Sequence, residues 1–402
     1  MFKILSARIL LLIFFANFFY EENGLFIYKR IIYSILTYWA IFDLGRFTWN
    51  WIQERRMREM PSFYQTHLVT IIVFTLFNVF VDLRNPRLNL VTLINNPQAM
   101  LSVVPVFLFL IGRYAEDFTG VFKVLRLACI FFLMTWVITL PGRLPFYPGY
   151  IASHAILPFF LISFVDKKKM AFAITLLAAA AVFSMFSNYR IVLLQLLFFF
   201  GLFFSLGAVK NNNYLKFLII LLACGLVFIA LNNLQDVLAM FKGILGKKDF
   251  DGDDTRSFLY QELFADFSTT ELFFGRGFLG TYFSDYFLML MENLDDTGDF
   301  YQRFGIEVGV LQLILKGGFV YYFLYTFPLW FIAVRGIFWH SELTIAFYIS
   351  IYILTELLLM FFENIPYFNF QFSLLFLFAG FAYRVIYFRK KSIVPDTLVS
   401  VE

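Results

Sequence analysis

The sequence predicts an all-α polytopic membrane protein with about 12 transmembrane helices and one large extracytoplasmic loop. Three observations carry this prediction. The chain is 61% apolar and 22% aromatic with only 15% charged residues, which excludes an ordinary soluble domain. Apolar runs of about 18 residues or more recur, each able to cross about 30 Å of hydrocarbon as a helix. Alternating segments of about ten residues, the mark of a β-barrel, do not occur.

The runs fall at 4–20, 28–45, 64–82, 97–113, 121–140, 148–165, 170–187, 190–208, 215–232, 306–334, 342–362 and 367–388. The first ends Ala16-Asn17-Phe18-Phe19-Tyr20 without a small-residue cleavage site, so it reads as a retained span. The second carries Arg30 and Asp43 near its ends. The tenth is longer than a crossing needs, so it is expected to tilt or to begin above the membrane. The resulting organisation is nine spans over 1–232, the loop over 233–304, three spans over 305–388 and a tail over 389–402.

Orientation follows from Lys and Arg in the short loops. With the N-terminus inside, inner segments hold 18 of them, and outer short loops hold 6: Lys29, Arg30, Arg84, Arg87, Arg143 and Arg190. Both termini then face the cytoplasm and the loop faces out. The net charge of +4 is spread over loops and forms no patch, so nucleic acid is not an expected partner. Cys129 and Cys224 lie in apolar runs and read as buried inert thiols. His67, His154 and His340 are far apart and lack ligand spacing, so neither a metal nor a cofactor is expected.

The loop is acidic: Asn233–Phe304 holds 13 Asp and Glu against 6 Lys and Arg. Leu234–Leu245 reads as an amphipathic helix on the membrane surface, and Lys247–Asp254 as a charged turn. Arg256–Phe267 places Phe258, Leu259, Leu263 and Phe267 at helical spacing. Phe273–Gly280 is a glycine-rich turn, and Tyr282–Leu294 is apolar enough to dip into the interface.

Gly275–Gly280 has the letters of a dinucleotide fingerprint but lacks the βαβ context that motif needs. It reads as a tight turn, or as backbone N–H groups open to a phosphate. Ser187-Asn188-Tyr189-Arg190 stands at the outer start of the eighth span. Its arginine is either a snorkelling anchor or a diphosphate ligand helped by the helix dipole. Thr255 can cap a loop helix, and Arg256 either pairs with Asp253 or Glu262 on a solvated face or binds substrate. Arg303 and Glu307 are four apart, which would put them on one helix face as the chain re-enters the membrane. They form an interfacial ion pair, or Glu307 serves as general base toward a sugar hydroxyl. Glu363, at the outer end of the eleventh span, can contact sugar, whereas the deeper Glu356 pairs internally.

Over roughly Ser187 to Phe362 the pattern resembles the O-antigen polymerase and ligase superfamily of bacterial inner-membrane glycosyltransferases. The matching features are Ser187-Asn188-Tyr189-Arg190, Arg256 near the loop's start, and the Gly275–Gly280 turn. Ligases then carry His followed by Asn, Ser or Gln, nine residues, Gly, two residues, and Gly, Thr or Tyr. Gly318 and Tyr321 fit that frame, but Glu307 and Val308 stand at its first two positions. The departure favours a polymerase over a ligase. The resemblance implies a GT-C-like fold and metal-independent transfer from an undecaprenyl diphosphate-linked oligosaccharide, with both termini cytoplasmic and the loop periplasmic. Arg303 and Glu307 would then be catalytic, and Tyr189, Arg190, Arg256, Arg276 and Glu363 would bind substrate. Membrane lipid and a chain-length regulator protein are the implied partners. A lipid-linked oligosaccharide flippase or other 12-span transporter is the rival from another class; it predicts related halves and polar groups at mid-membrane.

Overall fold

The computed structural model describes residues 2–20, 27–53, 62–82, 96, 99–114, 119–139, 147–163, 167–186, 190–232, 257–285, 288, 302–338, 345–362 and 368–388. The first part of the chain forms α1 (Phe2–Phe19), α2 (Ile27–Gln53), α3 (Ser62–Asp82), α4 (Val104–Tyr114) and α5 (Thr119–Thr139). There follow α6 (Tyr147–Ser153), α7 (Ile156–Ser163), α8 (Lys167–Phe186), α9 (Arg190–Ala208) and α10 (Asn213–Asn232). The loop contributes α11 (Ser257–Asp266) and α12 (Thr269–Phe274), then β1 (Tyr282–Phe283) and β2 (Gln302–Arg303). The last helices are α13 (Gly309–Phe338), α14 (Ile345–Leu359) and α15 (Phe370–Phe388). The expected loop features Leu234–Leu245 and Lys247–Asp254 lie outside the described residues, as do the tail and most of Tyr282–Leu294.

Among the described residues, four stretches are long and apolar enough to cross a membrane: Tyr64–Asp82, Gly120–Val137, Gly309–Phe338 and Phe370–Tyr387. Shorter apolar helices of 10–17 residues accompany them, among them Val192–Ala208 and Ile345–Leu359. The set is consistent with an all-α membrane protein; a short ribbon accompanies the helices, in which β1 and β2 pair antiparallel, Tyr282 opposite Arg303.

Proline chemistry sets two interruptions that hydropathy does not report. The run at 148–165 is two helices divided at His154–Ala155. Pro158 has no N–H to give the carbonyl of His154, and its ring crowds that carbonyl. In the run at 97–113, Pro105 likewise cannot bond Leu101, and the chain there is a 3₁₀ turn over Met100–Val103.

The core centres on α14, which is buried along its whole length. α4 and α15 pack closely at two glycines: a Cβ on Gly112 would overlap the carbonyl of Leu377, and one on Gly380 the carbonyl of Phe109. Polar groups tie helices together where water is scarce. Arg8 pairs with Asp43, donating through Nε at 2.6 Å to Oδ2. The Glu356 carboxylate accepts from Gln195 of α9 on one oxygen and from Gln371 of α15 on the other, the latter at 2.8 Å. Asn17 Oδ1 accepts the first N–H of α15, from Phe370, at 2.8 Å. The outer faces of α2, α3 and α10 expose Trp39, Phe42, Leu76, Phe80, Leu222 and Phe228. Apolar exposure this extensive suits hydrocarbon and not water.

Candidate functional site

The described part of the loop folds onto the start of α13. α12 is opened by a capping box: Ser268 Oγ accepts the N–H of Glu271, and the Glu271 carboxylate accepts the N–H of Ser268 at 2.8 Å. Gly275 closes α12 at φ 71°, and its N–H donates to Glu271 O at 2.7 Å. α13 is itself broken at Gly317–Gly318, where Gly318 has φ 67°. The two glycine sites interlock. A Cβ on Gly275 would overlap the Gly317 backbone, and one on Gly318 would overlap the Phe273 carbonyl carbon. The N–H of Arg276 donates to Leu315 O at 2.9 Å, satisfying a carbonyl that the break would otherwise orphan. The tenth run, expected to tilt or to begin above the membrane, is thus two helices meeting at this break. The second, 319–338, is about 30 Å long and can cross alone.

The turn also accounts for its own polar groups. Asp82, the last residue of α3, accepts the N–H of Phe278 at 2.9 Å and that of Leu279 at 3.1 Å. Successive backbone N–H groups of this kind make an anion-binding concavity, and here the occupant is the protein's own carboxylate. The phosphate reading of the glycine turn is corrected accordingly for those two groups. From the other side, the buried Lys316 ammonium donates to Gly280 O at 2.9 Å and Phe304 O at 2.6 Å, over the Phe304 ring. Asp82 and Lys316 were not singled out from the sequence. The available signal was that Lys316 is the sole cation in the tenth apolar run and stands directly before two glycines.

Arg276 does not fit the expected substrate-binding role. Nε donates to Glu271 at 2.9 Å, one terminal nitrogen to Asp266 Oδ2 at 2.6 Å and Thr281 O at 2.9 Å, and the other to Asp266 O at 2.7 Å and Glu271 at 3.4 Å. Those acceptors use all five guanidinium donors, so the residue clamps the turn. Burial acts against the charge of both groups, yet these bonds outweigh it: the Arg276 pKa is raised, and Glu271 is held below the usual carboxylate range by Arg276 and Ser268.

Arg303 and Glu307 do meet, but not on a helix. Arg303 is in β2 and Glu307 in the bend before Gly309, where α13 begins. The glycine at 309 and the ribbon pairing to Tyr282 displace the helix start past both residues. Their ion pair spans 3.4 Å, with Arg303 20% and Glu307 50% exposed. Arg303 also donates to the Tyr282 hydroxyl at 3.5 Å. Burial, against the pull of Arg303, pushes the Tyr282 phenol up to about 12, so it stays protonated at neutral pH. Of the other expected ligands, Arg190 is the first residue of α9. Tyr189, Arg256 and Glu363 lie outside the described residues.

The arrangement is a braced turn and ribbon carrying an exposed carboxylate beside a guanidinium. Such a pair can orient a hydroxyl while an anion is held close by. Among the described residues no group of three or more His, Cys, Asp or Glu is placed to hold a metal ion. Comparison of the chain with protein-family models, curated proteins and solved structures gives no match.

Proposed function

We propose that this chain is a polysaccharide polymerase of the O-antigen type in a bacterial inner membrane, with about 12 spans, a GT-C-like fold, cytoplasmic termini and a periplasmic loop. It transfers an undecaprenyl diphosphate-linked glycan onto the non-reducing end of a lipid-linked repeat unit. The supporting observation is the partly exposed Arg303–Glu307 pair, mounted directly ahead of the first part of α13 and braced by Lys316 through Phe304.

In this reading the donor's bond from its anomeric carbon to the diphosphate oxygen breaks, and the electron pair leaves with the diphosphate. The acceptor hydroxyl oxygen bonds that carbon and yields its proton to the Glu307 carboxylate. Arg303 holds the acceptor carrier's diphosphate. Arg190 and Arg256 hold the donor diphosphate, whose developing charge they stabilise without a metal. Tyr189 and Glu363 line the substrate path, and a chain-length regulator protein is a further partner. The deciding experiment is complementation of a deletion strain with wild type, Arg303→Ala and Glu307→Gln at matched expression. A glycan ladder from wild type, with single repeat units from both variants, is expected. Full ladders from both variants would overturn the assignment.

One observation favours a second reading, a 12-span transporter: Glu356 sits between Gln195 and Gln371 inside the helix bundle, as a mid-membrane coupling site would. Loss of substrate export with intact polymerisation in Glu356→Gln cells would select that reading.

A further inference from the structure

α11 and α12 belong to the loop, yet three of their aromatic side chains are uncovered: Phe264 is 40%, Phe273 53% and Phe274 47% exposed. The apolar residues that α11 needs for its own packing, Leu259 and Leu263, are buried, so the exposed rings are additional to the core. They are also continuous with the hydrocarbon-facing surface. Phe264 stacks on Phe319, ring centroids 6.5 Å apart at 17°. Gly318 lies against the carbonyl of Phe273. Phe319 opens the stretch of α13 that is long enough to cross, and one turn further Phe323 is 63% exposed.

We infer that α11 and α12 are seated in the membrane interface, with Phe264, Phe273 and Phe274 inserted among lipid chains. Lipid is the occupant because Phe323 faces outward from a stretch long enough to cross a membrane, and Phe264 stacks on Phe319 one turn before it. The acidic side chains of these two helices have internal partners: Glu262 accepts from Ser284, and Asp266 and Glu271 accept from Arg276. Lowering the helices therefore takes no bare carboxylate into the interface, where aromatic rings are favoured. The consequence is that the braced turn rests at the depth of lipid headgroups. This inference concerns the membrane and stands independently of the glycosyl-transfer reading.

The test uses the full chain in nanodiscs, with Cys129→Ala and Cys224→Ala as background. A fluorophore is attached through Phe264→Cys, Phe273→Cys, Asn211→Cys or Phe323→Cys. Asn211, exposed in the turn between α9 and α10, serves as the aqueous reference; Phe323 is the membrane reference. Nitroxide-bearing lipid is expected to quench the Phe264 and Phe273 labels at least threefold more than the Asn211 label, as it does the Phe323 label. Iodide is expected to favour Asn211. Iodide quenching at Phe264 and Phe273 equal to that at Asn211 would overturn the inference, and so would protection from both quenchers, which would mean a protein covers these rings. A Phe323 label out of reach of lipid would remove its premise.

Discussion

Lys316 donates to the carbonyl of Phe304 at 2.6 Å, and this one bond joins the broken helix to the ribbon that carries Arg303. The same ammonium holds Gly280 O, so it closes both ends of the β1–β2 segment onto α13. Replacing it with Lys316→Met leaves two half-buried carbonyls without this donor, each costing up to about 1–3 kcal/mol. The expected result is a lower thermal midpoint for detergent-purified protein, together with faster proteolysis within 276–304. An unchanged midpoint would show that the ammonium is not needed.

Gly318 is a conformational requirement. An alanine there meets a penalty of about 1–3 kcal/mol for a backbone at φ 67° and ψ −171°, a region nearly confined to glycine, and an overlap with Phe273. Gly318→Ala should therefore lower the midpoint clearly. Gly225→Ala, in open space on α10, should hold or raise it, because alanine is the better helix former.

Arg276 and Glu307 should separate stability from activity. Arg276→Ala leaves the acceptor oxygens of Asp266, Glu271 and Thr281 without their donor, and should cost about 2–4 kcal/mol through lost charge-assisted bonds. Glu307→Gln, on a half-exposed side chain, should change stability by no more than about 0.5 kcal/mol while abolishing the ladder. Thermal unfolding and complementation, run on both variants, read the two effects.

Acid should loosen α12 before the spans. The Glu271 carboxyl is depressed in the folded chain, so its contribution is full above the unfolded carboxyl value. It is lost as pH falls through the lower folded value. Amide hydrogen exchange at Glu271 and Gly275, corrected for intrinsic rate, should accelerate over that acidic window. Glu271→Gln should exchange faster at neutral pH and show no such window.

Glu356 should tolerate loss of charge better than loss of shape. Glu356→Gln keeps an acceptor for one of the two amides of Gln195 and Gln371, and the other glutamine can turn its own oxygen toward the new NH2, whereas Glu356→Ala strands both and should cost about 2–5 kcal/mol. Yield of folded protein from membranes distinguishes the two variants.

Hydropathy made the helices legible because a span must be apolar along its whole length, and α3, α5, α13 and α15 each contain such a window. The helical spacing in the loop was legible for the same local reason: Leu259 and Leu263 are the buried side of α11. What escaped is non-local. Nothing near Asp82 reports that its partners are Phe278 and Leu279. Nothing near Gly275 announces that a second glycine, Gly318, makes room for it. The Arg303–Glu307 contact was foreseen with the wrong backbone, because four-residue spacing is met equally by a strand followed by a bend.

The bond from Phe278 to Asp82 spans 196 residues. During synthesis α3 emerges long before the turn that satisfies its terminal carboxylate. Until then Asp82 must stay with water or headgroups, which holds the end of α3 at the surface. Closure of the turn is thus a late event in biogenesis, and Phe278 and Leu279 must be made before the end of α3 gains its final partners.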